Sequence, residues 1–291
     1  MKRIVIIISL ILVVFCFASC NQKEKYSVYE VGGFDNVSEA DHSNEIVLKS
    51  QKYIKSNAVK QKTVEVNGKE WDVKYSESIK GYLYNNDRDR YENESGDKSI
   101  IVEINNKTGR VDRFDFIDQK YLDEKGTAKK LTEEACLDIA KTYLNKYVKS
   151  SEYKMVESNY LEGSFCGEFY SFKFVRVING FNTSDSAHIN VSSYGDVVSH
   201  YFTSLGEMKG AKAPTDDEMK IIEENVSKKL DSIYKNVLNK YDVSYETEDK
   251  VLIKTSDGRY ALKYNIAVTL QPKNDEAVSF VEQTVLLIYL D

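Results

Sequence analysis

Two stretches of the chain read alike, and this repetition constrains the fold more than any single motif. Ile101 to Val111, IVEINNKTGRV, is an alternating strand, a polar turn with glycine, and a returning strand. Ile189 to Val197, INVSSYGDV, has the same order with a one- or two-residue difference before the turn. Each glycine stands where the turn needs positive φ, which glycine adopts cheaply. A supersecondary unit repeated in tandem implies layers that bury their apolar faces copy by copy.

The second copy is the clearest. Leu131 to Lys149 is a helix, with Thr132 as N-cap, acids in the first turn, and Ala135, Ile139, Tyr143 and Tyr147 at i, i+4 spacing. An alternating strand through Phe169 to Val177 follows, then a hairpin signal at Asn179-Gly180 and a strand–turn–strand around Tyr194-Gly195. The third copy begins after a Gly/Lys/Ala/Pro linker. Thr215 caps a long helix with Ile222, Val226, Leu230 and Val237 on its apolar stripe, and strands with a turn at Asp257-Gly258 complete it. The first copy is fainter. A short helix over Glu45 to Ile54 precedes hairpins around Asn67-Gly68 and Lys107 to Gly109. The expected class is α+β, in tandem units of one helix on a curved antiparallel sheet, over 45–120, 131–205 and 215–291. Tyrosine is abundant, at 21 residues, as suits half-buried sheets with a packed ring and a wet hydroxyl.

Leu131 to Tyr147, the pattern F-x-F-x-R-x-x-N-G at Phe172 to Gly180, and Ile189 to Tyr201 together resemble the extracellular PepSY-like repeats. They resemble in particular the YcdB/YcdC-type domains of Gram-positive lipoproteins. The resemblance covers the middle third well, the last third moderately and the first third weakly. It implies a helix cradled by a curved sheet, repeated at the cell surface. It implies a regulatory relation to peptidases for PepSY domains, and it carries over no catalytic residue.

The N-terminus points to the same compartment. Lys2 and Arg3 precede an apolar run, Ile4 to Ala18, interrupted only by Ser9. That length suits a secretory h-region and is short of the roughly twenty residues of a spanning helix. Phe17-Ala18-Ser19-Cys20 resembles a bacterial lipobox, departing from it at Phe17. The resemblance implies a signal peptide over 1–19 and a diacylglyceryl group with palmitate-type chains on Cys20. Membrane lipid is then a partner, and the site is the outer face of the cytoplasmic membrane. Residues 20–44 read as a flexible tether, with His42 in it exposed. A net charge of −6 provides no basic footprint for nucleic acid.

Several polar sets merit weighing as sites. Asp185, His188 and Ser192 are the residue types of a hydrolase triad, but four residues along a strand separate histidine and serine by roughly 13 Å. His188 and His200 are equidistant from the Tyr194-Gly195 turn, so a cross-strand pair with Asp185, Asp196 or Glu168 is a weak zinc candidate. A solvated strand face is the stronger reading of both. Ser151 and Lys154 match a Ser-x-x-Lys spacing without its companion motifs. Asp87, Asp89, Glu92, Glu94 and Asp97 lie in what reads as a long hairpin loop, with oxygens for Ca²⁺ but not EF-hand spacing. Tyr82, Tyr84, Tyr170, Phe172, Tyr260 and Tyr264 present sheet aromatics for packing or for ligand binding. Cys136 and Cys166 are available for a disulfide, with a buried free thiol at Cys136 as the alternative.

No cofactor motif is present in the sequence. The expected function is a non-enzymatic module binding a protein or peptide in the cell envelope. An envelope hydrolase using His188 and its neighbours, and a structural spacer, are the alternatives.

Overall fold

The computed structural model describes residues 26–32, 40–42, 46–47, 53–54, 58–80, 87–125, 127–164, 167–274 and 278–290. Cys20, Cys166, Tyr82, Tyr84 and the expected signal peptide lie outside them.

One large, mixed, open sheet dominates. Its first repeat contains β4 (Gln61–Val66), β5 (Lys69–Ile79), β6 (Arg88–Ser95), β7 (Lys98–Asn105) and β8 (Val111–Asp118), a meander of antiparallel neighbours. The second contains β9 (Tyr153–Ser164), β10 (Gly167–Ile178), β11 (Phe181–Ser192) and β12 (Val197–Thr203). The third contains β13 (Tyr241–Lys254), β14 (Tyr260–Pro272) and β15 (Phe280–Tyr289). The hairpin at Asn67-Gly68 has φ of 54° and 74°, and that at Asn179-Gly180 has 47° and 86°. Positive φ at both central residues is the type I′ geometry that matches strand twist.

The repeats fuse. β8 pairs antiparallel with β12 through Phe114↔His200 and Arg113↔Tyr201. β11 pairs parallel with β13 through Asn182↔Val251 and Thr183↔Leu252. Two main helices lie on this sheet. One is α2 (Glu133–Leu144), whose N-cap Thr132 accepts from the Ala135 amide. The other is α3 (Asp216–Tyr234), which opens with a capping box between Thr215 and Glu218. A five-residue helix, α1 (Tyr121–Lys125), sits between the first and second repeats.

Helices and sheets do not come as one helix per sheet. The first repeat has no helix of its own among the described residues. Its Tyr91, Ile100, Val102 and Phe114 share one core with Cys136, Ala140 and Leu144 of α2 and with Phe172, Ile189 and Phe202 of the second sheet. Each buried Leu, Ile, Val or Phe side chain among them contributes roughly 1.5–3 kcal/mol, so α2 stabilises both repeats. A separate core joins α3 to β14 and β15 through Ile222, Leu230, Tyr264, Ile266 and Leu286.

Three expectations change. The helix expected over Glu45 to Ile54 is absent where the chain is described, as Ile46–Val47 and Tyr53–Ile54 are two-residue strands, β2 and β3. The expected tether supplies β1 (Val28–Gly32), which pairs antiparallel with β15 and covers the edge of the third repeat. The expected acidic loop is largely strand β6, turned at Gly96.

A charged groove across the repeat junction

The β8–β12 junction aligns one side chain from each of eight neighbouring strands. Register runs Glu157↔Lys173, Lys173↔His188, His188↔Tyr201, Tyr201↔Arg113, Arg113↔Glu103, Glu103↔Arg90 and Arg90↔Glu77. At ~4.8 Å between strands this row is on the order of 34 Å long. Side chains alternate faces along a strand. The row therefore occupies the face opposite α2, because the neighbouring residues Ile189, His200 and Phe114 point into the core.

The middle of the row opens into a groove of about 580 Å³ lined by Arg88, Arg113, Glu103, His188, Asn190 and Tyr201 among others. Arg88 is 4% exposed and lies over the Tyr201 ring, 5.2 Å from its centre. Its Nη1 stands 2.8 Å from Glu103 Oε2, close enough for an ion pair but off the line a hydrogen bond needs. Glu103 Oε1 faces Arg113 at 3.3 Å, and Arg113 Nε donates to Asp115 at 2.7 Å. Arg88 Nε and Asn190 Oδ1 are buried with no hydrogen-bond partner among the described residues. Asn190 Nδ2 donates to Ser199 Oγ at 2.7 Å. Burial first, and then the Lys173 cation, hold His188 below the usual imidazole value. The groove thus presents a neutral imidazole and a phenol between fixed charges, with an unsatisfied donor and an unsatisfied acceptor buried in its lining.

The two histidines do not converge. The β11–β12 ladder slips by one residue between Asn190↔Ser199 and Val191↔Val197, so His188 faces Tyr201 while His200 faces Ile189. One extra residue moves a side chain to the other face of the sheet. His200 is therefore in the core, stacked on Phe202 at 4.0 Å. Its Nε2 donates to Val111 O at 3.0 Å, and Nδ1 accepts from Tyr143 OH at 2.8 Å. Burial pushes its pKa down to about 3.

Nor does the triad set assemble. Asp185 is fully buried on the α2 face, where it accepts from Tyr153 OH at 2.6 Å and lies 3.8 Å from Arg176. Ser192 Oγ donates to Tyr121 OH at 2.5 Å and accepts from the amides of Tyr194 and Asp196, which closes its own turn. Asp196 in turn accepts from Tyr121 OH. Glu168 pairs with Lys130.

The acidic residues of β6 and its turn are likewise engaged apart from one another. Asp89 accepts from Ser78 Oγ and from Asn106 Nδ2 at 3.3 Å, Glu92 pairs with Arg90, and Asp97 with Lys120. Among the described residues no group of three His, Cys, Asp or Glu side chains is placed to hold a metal. Ser151 and Lys154 are both exposed, with no base or oxyanion donor assembled around them among the described residues. Cys136 is buried and free, its thiol 3.6 Å from Ser192 O. Of the sheet aromatics, Phe172 and Tyr264 are core, and Tyr170 and Tyr260 are half-buried.

His42 is not exposed as expected. It lies between Glu30 and Glu282 beneath Tyr234, in a buried cluster that joins the N-terminal segment to the third repeat.

Residues 45–204 match the profile of the YcdB, YcdC repeated domain, and the chain belongs to that family. The match spans the two repeats that form the groove. No curated protein matches the chain. Among solved structures, the C-terminal domain of YpeB from Bacillus megaterium is similar at 14% identity, with a TM-score of 0.36, over 72% of this chain and 87% of that one. An uncharacterized protein from Eubacterium rectale ATCC 33656 is similar at 12% identity and a TM-score of 0.29, over 69% and 72% of the two chains.

Proposed function

We propose that the protein is a membrane-anchored extracellular module that binds a protein or peptide in the junction groove and performs no chemistry there. The observation that carries this reading is the buried, unsatisfied pair of Arg88 Nε and Asn190 Oδ1 within a groove of about 580 Å³. A polypeptide offers carbonyl oxygens and amide hydrogens that satisfy both once these side chains turn out into the groove, and unmet polar groups of this kind are what specific recognition exploits. The anchor is the lipid on Cys20, which places the groove outside the cytoplasmic membrane. Regulation of an envelope peptidase is the role that the family resemblance favours. A hydrolase built on His188 is the second reading, and the half-buried neutral imidazole in the groove is what favours it.

The test uses a photo-crosslinking amino acid at position 201 of the full chain in intact cells, alongside Arg113→Ala and His188→Ala variants. A single envelope protein captured at Tyr201, and lost with Arg113→Ala, supports the binding reading. Capture that is absent in every version overturns it. Turnover of a peptide or wall substrate that His188→Ala abolishes supports the hydrolase.

A further inference from the structure

On the sheet face that carries α2, the tip of the β4–β5 hairpin closes on the turn between β11 and β12. Asn67 Nδ2 donates there to Val197 O at 2.6 Å. Beside this contact lies a cavity of about 190 Å³, walled by Val66, Trp71, Ile100, Phe116, Tyr121 and Val197. The first repeat, α1 and the second repeat all supply walls, so the cavity exists only where they meet. At ~30 Å³ per water it has room for on the order of six waters, or one leucine-sized side chain. The Trp71 and Phe116 rings meet edge to face, 5.7 Å between centres, and give it an aromatic side.

The polar groups around this cavity are unequally matched. Its three acids are all engaged. Lys98 Nζ stands 2.9 Å from Asp118 and donates to Glu124 at 3.0 Å, while Asp196 accepts from Tyr121 OH at 2.6 Å and pairs with Lys125. Two donors are not engaged. Lys69 lies across the hairpin from Val66, on the same face as Trp71, and meets no acid among the described residues. Trp71 Nε1 is buried with no acceptor, and an indole N–H only donates. The ring brings that N–H to an incoming acceptor by turning toward the cavity. Unmatched donors beside fully matched acids call for an anion, and the apolar walls call for an apolar body.

We infer that this cavity is a second binding site, which takes an apolar side chain bearing a carboxylate and holds that carboxylate on Lys69 and the Trp71 indole. A free apolar amino acid and the C-terminal residue of a peptide share this chemistry. The junction groove occupies the opposite face of the sheet, so the two sites stand or fall independently.

Trp71 is the single tryptophan of the chain, so its fluorescence reports this cavity directly. N-acetyl-leucine titrated into the full chain is expected to change the emission saturably, with Kd on the order of 1 mM for a ligand of this size. Saturation-transfer NMR on the leucine methyls is the second readout and needs no change in emission. N-acetyl-leucinamide lacks the carboxylate and is expected to bind at least about tenfold more weakly. Lys69→Met is expected to weaken N-acetyl-leucine by about the same factor. Trp71→Phe, read by NMR, keeps an aromatic wall without the donor and is expected to weaken it about threefold. Tighter binding of Ala-Ala-Leu than of leucine supports the site with a peptide terminus as its source, and the reverse order supports it with a free amino acid. Absence of both signals at roughly ten times the expected Kd overturns the inference. Equal binding of the acid and the amide, or binding that Lys69→Met leaves unchanged, overturns the assignment of a carboxylate.

Discussion

His42 Nε2 lies 3.4 Å from Glu282 Oε1, while Nδ1 of the same ring contacts Glu30. One imidazole thereby joins strand β1, the segment that follows it, and the last strand of the third repeat. Tyr234 OH donates to Glu282 at 2.5 Å, which anchors the cluster to α3. Hydrogen bonds to Glu282 and then Glu30 outweigh burial and raise His42 to about 9. The unfolded value is about 6.5. The raised folded value means that this stabilisation is fully present below about pH 6.5 and is lost as pH rises through about 9. His42→Gln leaves two buried carboxylates facing each other and is expected to lower stability by roughly 3 kcal/mol at pH 7. Thermal melts from pH 6 to 9.5 are expected to fall more steeply for the unsubstituted chain than for the variant. Parallel curves would show that His42 is not charged in the folded protein.

His200 behaves in the opposite sense. Its folded value of about 3 lies below the unfolded one, so the folded chain stays neutral there while the unfolded chain takes a proton. Stability is expected to decline from about pH 6.5 down to about 3, with a slope near 1.4 kcal/mol per pH unit from this one group. His200→Gln retains a donor for Val111 O and an acceptor for Tyr143 OH. It is expected to remove that slope while costing about 1–2 kcal/mol at pH 7 through lost ring packing. Urea denaturation at several acidic pH values measures both quantities.

These two histidines also show what could be read in advance. The helix caps at Thr132 and Thr215, the type I′ turns and the strand–turn–strand repeat were legible because each rests on local chemistry. The bulge that sends His200 into the core was not, because counting residues from a turn assumes an unbroken ladder. Strand β6 was concealed by its environment. Among its described side chains only Tyr91 joins the apolar core, and the other face carries Arg88, Arg90 and Glu92, so no apolar alternation marks it. Strand β9 lacks the signal for a different reason, being exposed along nearly its whole length. The groove depends on β8 meeting β12, a pairing between residues some ninety positions apart that no local pattern encodes.

Gly195 illustrates a turn that is also a packing contact. Its φ is +93°, and a Cβ there would come within 3.1 Å of Leu131 Cδ1 and 3.4 Å of Ile139 Cδ1. Gly258 has a similar φ of +89° with nothing within 4 Å. Gly258→Ala is therefore expected to report backbone strain alone, about 1–3 kcal/mol. Gly195→Ala adds a clash against Leu131 and helix α2, and it is expected to cost at least 1 kcal/mol more. Equal losses in chemical denaturation would mean that the helix yields freely at this contact.

The Arg88–Glu103 pair tests whether the groove is held for stability or for recognition. Both side chains are almost fully buried, and Arg113 shares the Glu103 carboxylate. Arg88→Met leaves Glu103 short of one partner and is expected to cost roughly 3–5 kcal/mol. Arg88→Met with Glu103→Met removes both buried charges, while Arg113 keeps Asp115 at 2.7 Å. The double variant is expected to be less damaged than the sum of the singles by 1–3 kcal/mol. A double variant as stable as the parent chain would mean that folding does not require the pair, and that its buried charges are retained for what the groove binds. Strict additivity in denaturant titrations would instead show that Arg88 and Glu103 act on stability independently, despite their 2.8 Å contact.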